Sequence, residues 1–410
     1  MKITDNIPQG YKNSPLGIIP QEWEVKKLGD ITEINPSKEE ISSQFVTFLT
    51  MSDVSEHGGV IKENIMPKSS IKPGLTSFKR GDIIIAKITP CFENGKGALL
   101  NNITCEYGFG STEFHVIRYR QCNKFIYYHT MSYAFRKRLE SQMTGSAGQK
   151  RVPADSISSY KIPVPSLSEQ QKIAEILSTW DKAIEKQMQL IEKFELRKKG
   201  LMQQLLTGKK RLPGFSGEWK KCSIKDFSTE VSLKNKRNEN WEVLSCTKYD
   251  GLVPSLQYFG RQVFSKDVTQ YKIVPQYCFA YATNHIEEGS IGYQSTYRNA
   301  LISPMYTVFK TDHDMIDDIF LYKLLKSHRA IYLYNVMMEG SIDRRGGLRW
   351  DNFSTIKFLL PDIEEQLAIT NVLITCDNEI ILAKRKLNNF LHQKKGLMQV
   401  LLTGKKRVNI

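Results

Sequence analysis

KKGLMQQLLTGKKR fills Lys198–Arg211, and KKGLMQVLLTGKKR fills Lys394–Arg407. Thirteen of the fourteen positions are identical, with Gln204 against Val400 the one difference. A match of this length at an offset of 196 residues signals a duplicated domain, because solenoid repeats recur at a few tens of residues. Other pairs hold the same offset: Pro165 with Pro361, Glu169 with Glu365, Gln170 with Gln366 and Asp181 with Asp377. Far upstream, Glu22-Trp23 matches Glu218-Trp219 and Asp30 matches Asp226. Between these flanks the alignment slips. Phe114, Val116 and Arg118 match Tyr306, Val308 and Lys310 at 192, and Gly145-Ser146 matches Gly340-Ser341 at 195. The chain is two copies of one unit, with well-matched flanks around a divergent middle.

Each C-terminal flank has the pattern of a long helix. Ser166-Leu167-Ser168-Glu169 and Asp362-Ile363-Glu364-Glu365 have capping-box form directly after a proline. Ile173, Leu177, Trp180, Ile184, Ile191 and Phe194 then recur at helical spacing, and Ile369, Leu373, Cys376, Ile380, Leu387 and Phe390 are their counterparts. Gln187 and Ala383 occupy the intervening step. Such a stripe usually faces a globular core. Here it continues to Gly208 or Gly404, giving about 40 residues and roughly 60 Å of helix, longer than most single-domain cores cover. Each helix is the natural partner of the other, and an antiparallel pair relates the two units by a pseudo-twofold axis. Gly200 and Gly396 lie inside these helices at a cost of roughly 1 kcal/mol relative to alanine. Close helix approach, a local bend or inheritance through the duplication would each account for them.

The middle segments have mixed character. Ile83–Ile88 is a short apolar run after the Gly81-Asp82 turn, as in a buried strand, and Tyr277–Ala282 is its counterpart. Asn123–Met143 and Ile316–Met338 have helical patterns, each followed by Gly-Ser and basic residues. The fold class expected is α+β.

At 410 residues the chain is long enough for two or three domains, with 40% hydrophobic and 25% charged residues as in soluble globular proteins. Lys and Arg number 58 against 43 Asp and Glu, a net charge of +15 that points to a polyanion, with nucleic acid foremost. Charge does not separate DNA from RNA. The N-terminus MKITDNIPQG lacks the apolar run of a signal peptide, and no stretch is apolar enough for a membrane span, so the cytoplasm is expected. Seven cysteines without a CxxC pair argue against a disulfide framework and a zinc knuckle.

Motifs for catalysis fail on inspection. TGKK resembles a phosphate loop, but Gln203 or Gln399 stands at its first glycine and Lys210 or Lys406 where magnesium needs Ser or Thr. GFGS at Gly108 lacks the third glycine of a dinucleotide loop, and Asn35-Pro36-Ser37 stops short of the Asn-Pro-Pro-aromatic tetrad of amino-methyltransferases. Asp82 with Lys87 weakly suggests a nuclease, yet a strand-end turn explains both. The histidines show no ligand spacing. No catalytic, cofactor-binding or metal residue is expected.

YKNSPLGIIPQEWEVKKLGDI (11–31), GSAGQKRVPADSISSYKIPVP (145–165) and IPVPSLSEQQKIAEIL (162–177) resemble the specificity subunits of type I restriction–modification systems, including their Pro-x-x-x-Glu-Gln start to a helix. The second copy has LPDIEEQLAI, while GSIDRRGGLRW departs by an insertion and extra arginines. The resemblance covers the whole chain. It implies two target-recognition domains separated by two long antiparallel coiled-coil helices, each domain reading half of a bipartite DNA sequence. It implies a subunit with no catalysis or cofactor of its own. Its partners would be two methyltransferase subunits, which bind S-adenosylmethionine, and restriction/translocase subunits. The corresponding divisions are an N-terminal arm at 1–20, recognition domains at 21–161 and 212–357, and long helices at 162–211 and 358–410. The expected DNA contacts are Lys150 and Arg151 in one copy, Arg344, Arg345 and Arg349 in the other, and Lys87 at a strand end. Most such contacts fall on phosphate rather than bases. The competing reading is a basic coiled-coil adaptor for RNA or acidic protein.

Overall fold

Ile83-Ile84-Ile85-Ala86 is apolar at every position, so a strand built from it is stable only with both faces covered. The computed structural model, which describes residues 7–146, 148–339 and 347–409, buries all four. The chain divides into unit one, residues 1–188 with 385–410, and unit two, residues 189–384.

In unit one, β1 (Glu33–Ile34), β2 (Ile83–Ala86), β3 (Gly97–Leu99) and β4 (Phe114–Arg118) form an antiparallel sheet in the order β1-β4-β2-β3. Val116 lies opposite Ile84, Phe114 opposite Ala86 and Arg118 opposite Glu33. Alternate residues serve different cores, as the two-residue strand period requires. Ile83, Ile85 and Ile117 pack with Phe125, Ile126 and Phe135 of α1 (Asn123–Met131) and α2 (Tyr133–Glu140). Ile84 and Val116 pack on the other side with Leu49 and Phe78 from a second sheet. The helical stretch after Asn123 is thus two helices. Ser132 is extended and caps the second, accepting a hydrogen bond from the Phe135 amide at 3.3 Å.

In unit two, β5 (Ser228–Glu230), β6 (Cys278–Ala282), β7 (Ile291–Gln294) and β8 (Tyr306–Thr311) run in the order β5-β8-β6-β7. Val308 lies opposite Ala280, Tyr306 opposite Ala282 and Lys310 opposite Thr229. Phe279, Tyr281 and Phe309 pack with Phe320, Leu321 and Tyr334 of α4 (Asp318–Leu325) and α5 (His328–Glu339). The stretch expected as one helix is again two, because Asp317 caps α4 from Phe320 N at 2.8 Å and Ser327 Oγ accepts from Ala330 N at 3.3 Å.

The long helices are α3 (Leu167–Leu205) between the two middle segments and α6 (Ile363–Leu401) near the C-terminus, 39 residues each. Their capping boxes form only in part. Ser166 Oγ accepts from the Glu169 amide at 3.4 Å, but the Glu169 carboxylate turns to Trp23 and Arg407, since a two-point arginine bond outcompetes one backbone N–H. Of the seam positions, Ile173, Leu177, Ile184, Ile191, Ile369, Leu373, Cys376 and Ile380 are buried, and Trp180, Phe194, Leu387 and Phe390 are half-buried. Ile173 and Leu177 join the globular core of unit one with Met398 and Leu401, and Ile369 and Leu373 join that of unit two with Leu205 and Leu206. In unit one Trp180 meets Phe390 edge-on at 5.8 Å, Asp181 pairs with Lys394, and Glu169 with Arg407. Partner numbers rise as α3 numbers fall, so these segments are antiparallel. In unit two the same holds for Arg197 with Glu379, Lys198 with Asp377, and Arg211 with Glu365.

Gly208 and Gly404 end the two helical runs with φ of 67° and 71°, which only glycine adopts without strain. A Cβ on Gly404 would stand 3.1 Å from the Trp23 ring, and one on Gly208 3.3 Å from Trp219. The interior glycines differ. A Cβ on Gly200 or Gly396 meets nothing within 4 Å, which overturns close helix approach as their reason. Gly200→Ala and Gly396→Ala are each expected to stabilise the chain by about 0.5–1 kcal/mol, seen as a higher urea midpoint with unchanged slope. A lower midpoint would reveal a packing demand on these positions.

Candidate nucleic-acid interface

Three of the basic residues singled out in the sequence meet at one edge of unit one. Lys87 follows β2, and its amide donates to Glu113 O at 2.9 Å while its carbonyl accepts from Val152 N at 2.9 Å. Lys150 is exposed, and its carbonyl accepts from both Thr89 N at 3.0 Å and Thr89 Oγ1 at 3.2 Å. Arg151 exchanges both backbone bonds with Thr144, so the segment from Thr144 to Val152 is held at both ends. His115 braces it further, with Nε2 donating to Val152 O at 2.8 Å and Nδ1 accepting from Asn35 Nδ2 at 3.0 Å. Burial pushes the His115 imidazole below its ordinary pKa, consistent with a neutral ring that donates from one nitrogen and accepts at the other. The Arg151 guanidinium is bound by Glu113, with Nε at 3.0 Å and Nη2 at 2.8 Å from the carboxylate.

Unit two repeats the backbone and changes the chemistry. Leu348 N donates to Thr283 O at 2.9 Å, as Val152 N does to Lys87 O. By this register Thr283 stands for Lys87 and Gly347 for Arg151. From β8, Met305 stands for Glu113 and Thr307 for His115. Gly347 has φ 67°, and a Cβ there would lie 2.5 Å from Asn284 Oδ1 and 2.6 Å from Thr283 O. Arg349 corresponds to Pro153, is exposed, and precedes the short helix Trp350–Phe353. Arg344 and Arg345 lie outside the described residues.

Sequence reasoning matched Trp23 and Glu169 to Trp219 and Glu365 without giving them a role. In unit one Trp23 Nε1 donates to Glu169 at 3.0 Å, and Arg407 holds the same buried carboxylate with Nε at 2.7 Å and Nη2 at 3.0 Å. In unit two Trp219 donates to Glu365 at 3.1 Å, and Arg211 binds it at 2.6 and 2.5 Å. Arg407 and Arg211 are the final residues of the two copies of the fourteen-residue repeat. Gln170 and Gln366 donate to Pro165 O at 3.0 Å and Pro361 O at 2.9 Å. The Pro-x-x-x-Glu-Gln motif is thus a buried anion plus a proline-carbonyl cap. The signal was present: three residue types kept at one offset.

Asp82, weighed as a nuclease carboxylate, is buried and structural. It accepts from Arg118 Nε and Nη2 at 2.8 Å each and from Lys79 N at 2.8 Å. Among the described residues, His285, Glu287 and Glu288 bring ligand atoms within 4.8 Å on a largely exposed turn. No helix of the described residues is long and apolar enough to cross a membrane.

Comparison with known proteins matches one part of the chain to a described domain and nearly the whole chain to solved folds. Residues 20–195 match the type I restriction modification DNA specificity domain. Over 161 residues, 38% of this chain, the sequence is 42% identical to the type I restriction enzyme EcoAI specificity subunit of Escherichia coli, and the match spans only 27% of that relative's length. The putative type I restriction enzyme MjaX specificity subunit of Methanocaldococcus jannaschii is 26% identical over 98% of this chain and 97% of its own. A solved chain from the complex assembly of a type I R-M system covers 95% of this chain and 99% of its own, with a TM-score of 0.59 at 15% identity, a likeness of fold. The family match thus covers residues 20–195, and the chain spans about a quarter of the length of two of the curated relatives it resembles.

Proposed function

We propose that this chain reads a bipartite double-stranded DNA target and tethers methyltransferase and restriction/translocase subunits, without catalysis or a cofactor of its own. The match of residues 20–195 to the DNA specificity domain carries this reading. In it, residues 21–161 and 212–357 are recognition domains, residues 1–20 form an arm, and residues 162–211 and 358–410 form an antiparallel coiled-coil pair with pseudo-twofold symmetry. Repetition of register supports the duplication. Lys27 faces Lys161 as Ser223 faces Lys357, and Arg118 faces Glu33 as Lys310 faces Thr229. The reciprocal ion pairs along α3 and α6 support the helix pairing. Leu367, Ile374 and Ile381 are exposed at seven-residue intervals on α6, an uncovered apolar stripe suited to a partner subunit's helix. The net charge of +15 suits the DNA backbone.

The test combines the chain with its cognate methyltransferase. Adenine methylation dependent on S-adenosylmethionine and on a bipartite sequence is expected, with none from the isolated chain. Exchanging residues from Asp30 to Tyr160 for a related domain should alter one half of the methylated site and leave the other intact. Change in both halves together would refute one domain per half-site, and methylation by the pure chain would refute a non-catalytic subunit.

A further inference from the structure

We infer that Arg151, oriented by Glu113, reads a guanine in the half-site bound by unit one, with Arg151 the base contact and Glu113 its positioning residue. The inference rests on the DNA-reading function proposed above and deepens it. The geometry differs from that of a free surface arginine. A guanidinium carries five N–H donors. Glu113 accepts from Nε and from Nη2, and Gln149 O accepts from Nη1 at 3.2 Å. One donor then remains on each of Nη1 and Nη2, the two atoms that together can grip guanine O6 and N7. A phosphate contact needs only positive charge within reach, whereas a base contact needs a fixed plane.

The surroundings fix that plane. Backbone bonds to Thr144 hold Arg151, and its neighbours Lys150 and Val152 are bonded to Thr89, Lys87 and His115. The Glu113 side chain is 25% exposed against 43% for Arg151, so the carboxylate lies behind and the guanidinium outward. Hydrogen bonding from Arg151 leads in holding the Glu113 carboxyl below its usual range, with Lys87 adding to the effect. Glu113 therefore stays charged and bound at neutral pH, and exposed Lys150 is available for phosphate.

Unit two contains the internal control. At the corresponding positions it carries Thr283, Met305, Thr307 and Gly347, and the space beside Gly347 admits no side chain. Among these described positions, none can form the pair. The arginine–glutamate pair at this register is therefore a feature of unit one that the described residues of unit two do not repeat.

Arg151→Lys and Glu113→Gln are each compared with the unaltered chain, in complex with the methyltransferase, on a randomised DNA pool read by methylation sequencing. Arg151→Lys keeps the charge and loses the two-point grip. One G·C pair in one half-site should become degenerate, with discrimination falling about 5- to 150-fold, while the salt dependence of binding stays unchanged. Glu113→Gln should relax the same base pair. Full discrimination by both variants at every position would overturn the pair and leave the DNA-reading function standing. Relaxation in the other half-site would overturn the assignment to unit one. A wild-type complex that methylates without sequence preference would overturn the function and the pair together. The unaffected half-site reports whether each variant is folded.

Discussion

Arg407→Ala is expected to destabilise unit one by about 2–3 kcal/mol in urea unfolding, among the largest effects of any single surface-reaching residue. Glu169 is 1% exposed, so removing its arginine leaves a buried carboxylate with only the Trp23 indole N–H. A fully buried pair broken in this way costs about 3–5 kcal/mol. The Arg407 side chain is 35% exposed, and water entering its place offsets part of that. Arg211→Ala should do the same in unit two. There the guanidinium also lies 5.6 Å from the Trp219 ring centroid, so a loss of stability is expected in unit two as well. Arg407→Lys keeps the charge but not the planar two-point contact, and an intermediate loss is expected. In the double variant Arg407→Ala, Glu169→Gln, much of the stability should return, because the uncompensated charge is gone. If Arg407→Ala alone shifted stability by less than about 0.5 kcal/mol, the pair would rank with ordinary surface ion pairs.

These arginines answer why the chain carries KKGLMQxLLTGKKR twice. The last residue of each copy binds the glutamate that opens the other long helix. Much of this was open to reading from the sequence, because Trp, Glu, Arg and the helix-ending Gly208 and Gly404 all recur at the offset of 196. The strand core was also readable, since Ile83–Ala86 has no polar face to expose. The slip from 196 to 192 lies between β2 and β4. Ala86 and Ala282 keep the first offset, while Phe114 and Tyr306, their partners across the sheet, have the second. What stayed hidden depends on contacts between segments distant in sequence. Glu113 is 38 residues from Arg151 and belongs to no motif, and nothing local distinguishes Arg151 from exposed Lys150. The breaks at Ser132 and Ser327 are not legible in the sequence, because a serine within an apolar period marks a break only when its hydroxyl caps the next helix.

Lengthening both long helices by one heptad, near Ile184 and Ile380, is expected to abolish binding to the original target or shift it to a longer spacer. Under the proposed pairing, the two helices set the distance between the recognition domains. A heptad preserves the seam and adds about 10 Å. At about 3.4 Å per base pair, that corresponds to roughly three base pairs. DNA also turns by roughly 100° over three base pairs, given about 10–10.5 per turn. A coiled coil rotates little over one heptad, so one domain would meet its half-site from the wrong side unless the DNA or the helices twist. Weakened binding at every spacing is therefore as much a mark of a ruler as a new optimum. A heptad in only one helix should instead offset the pairs Asp181–Lys394 and Glu169–Arg407 from the pairs Lys198–Asp377 and Arg211–Glu365, and reduce folding of the pair. Binding and methylation measured across DNA with spacers changed one base pair at a time would separate these results. If the doubly lengthened, folded variant keeps its original spacer at full affinity, the helices do not measure the DNA, and the spacing must come from flexible attachment of the domains.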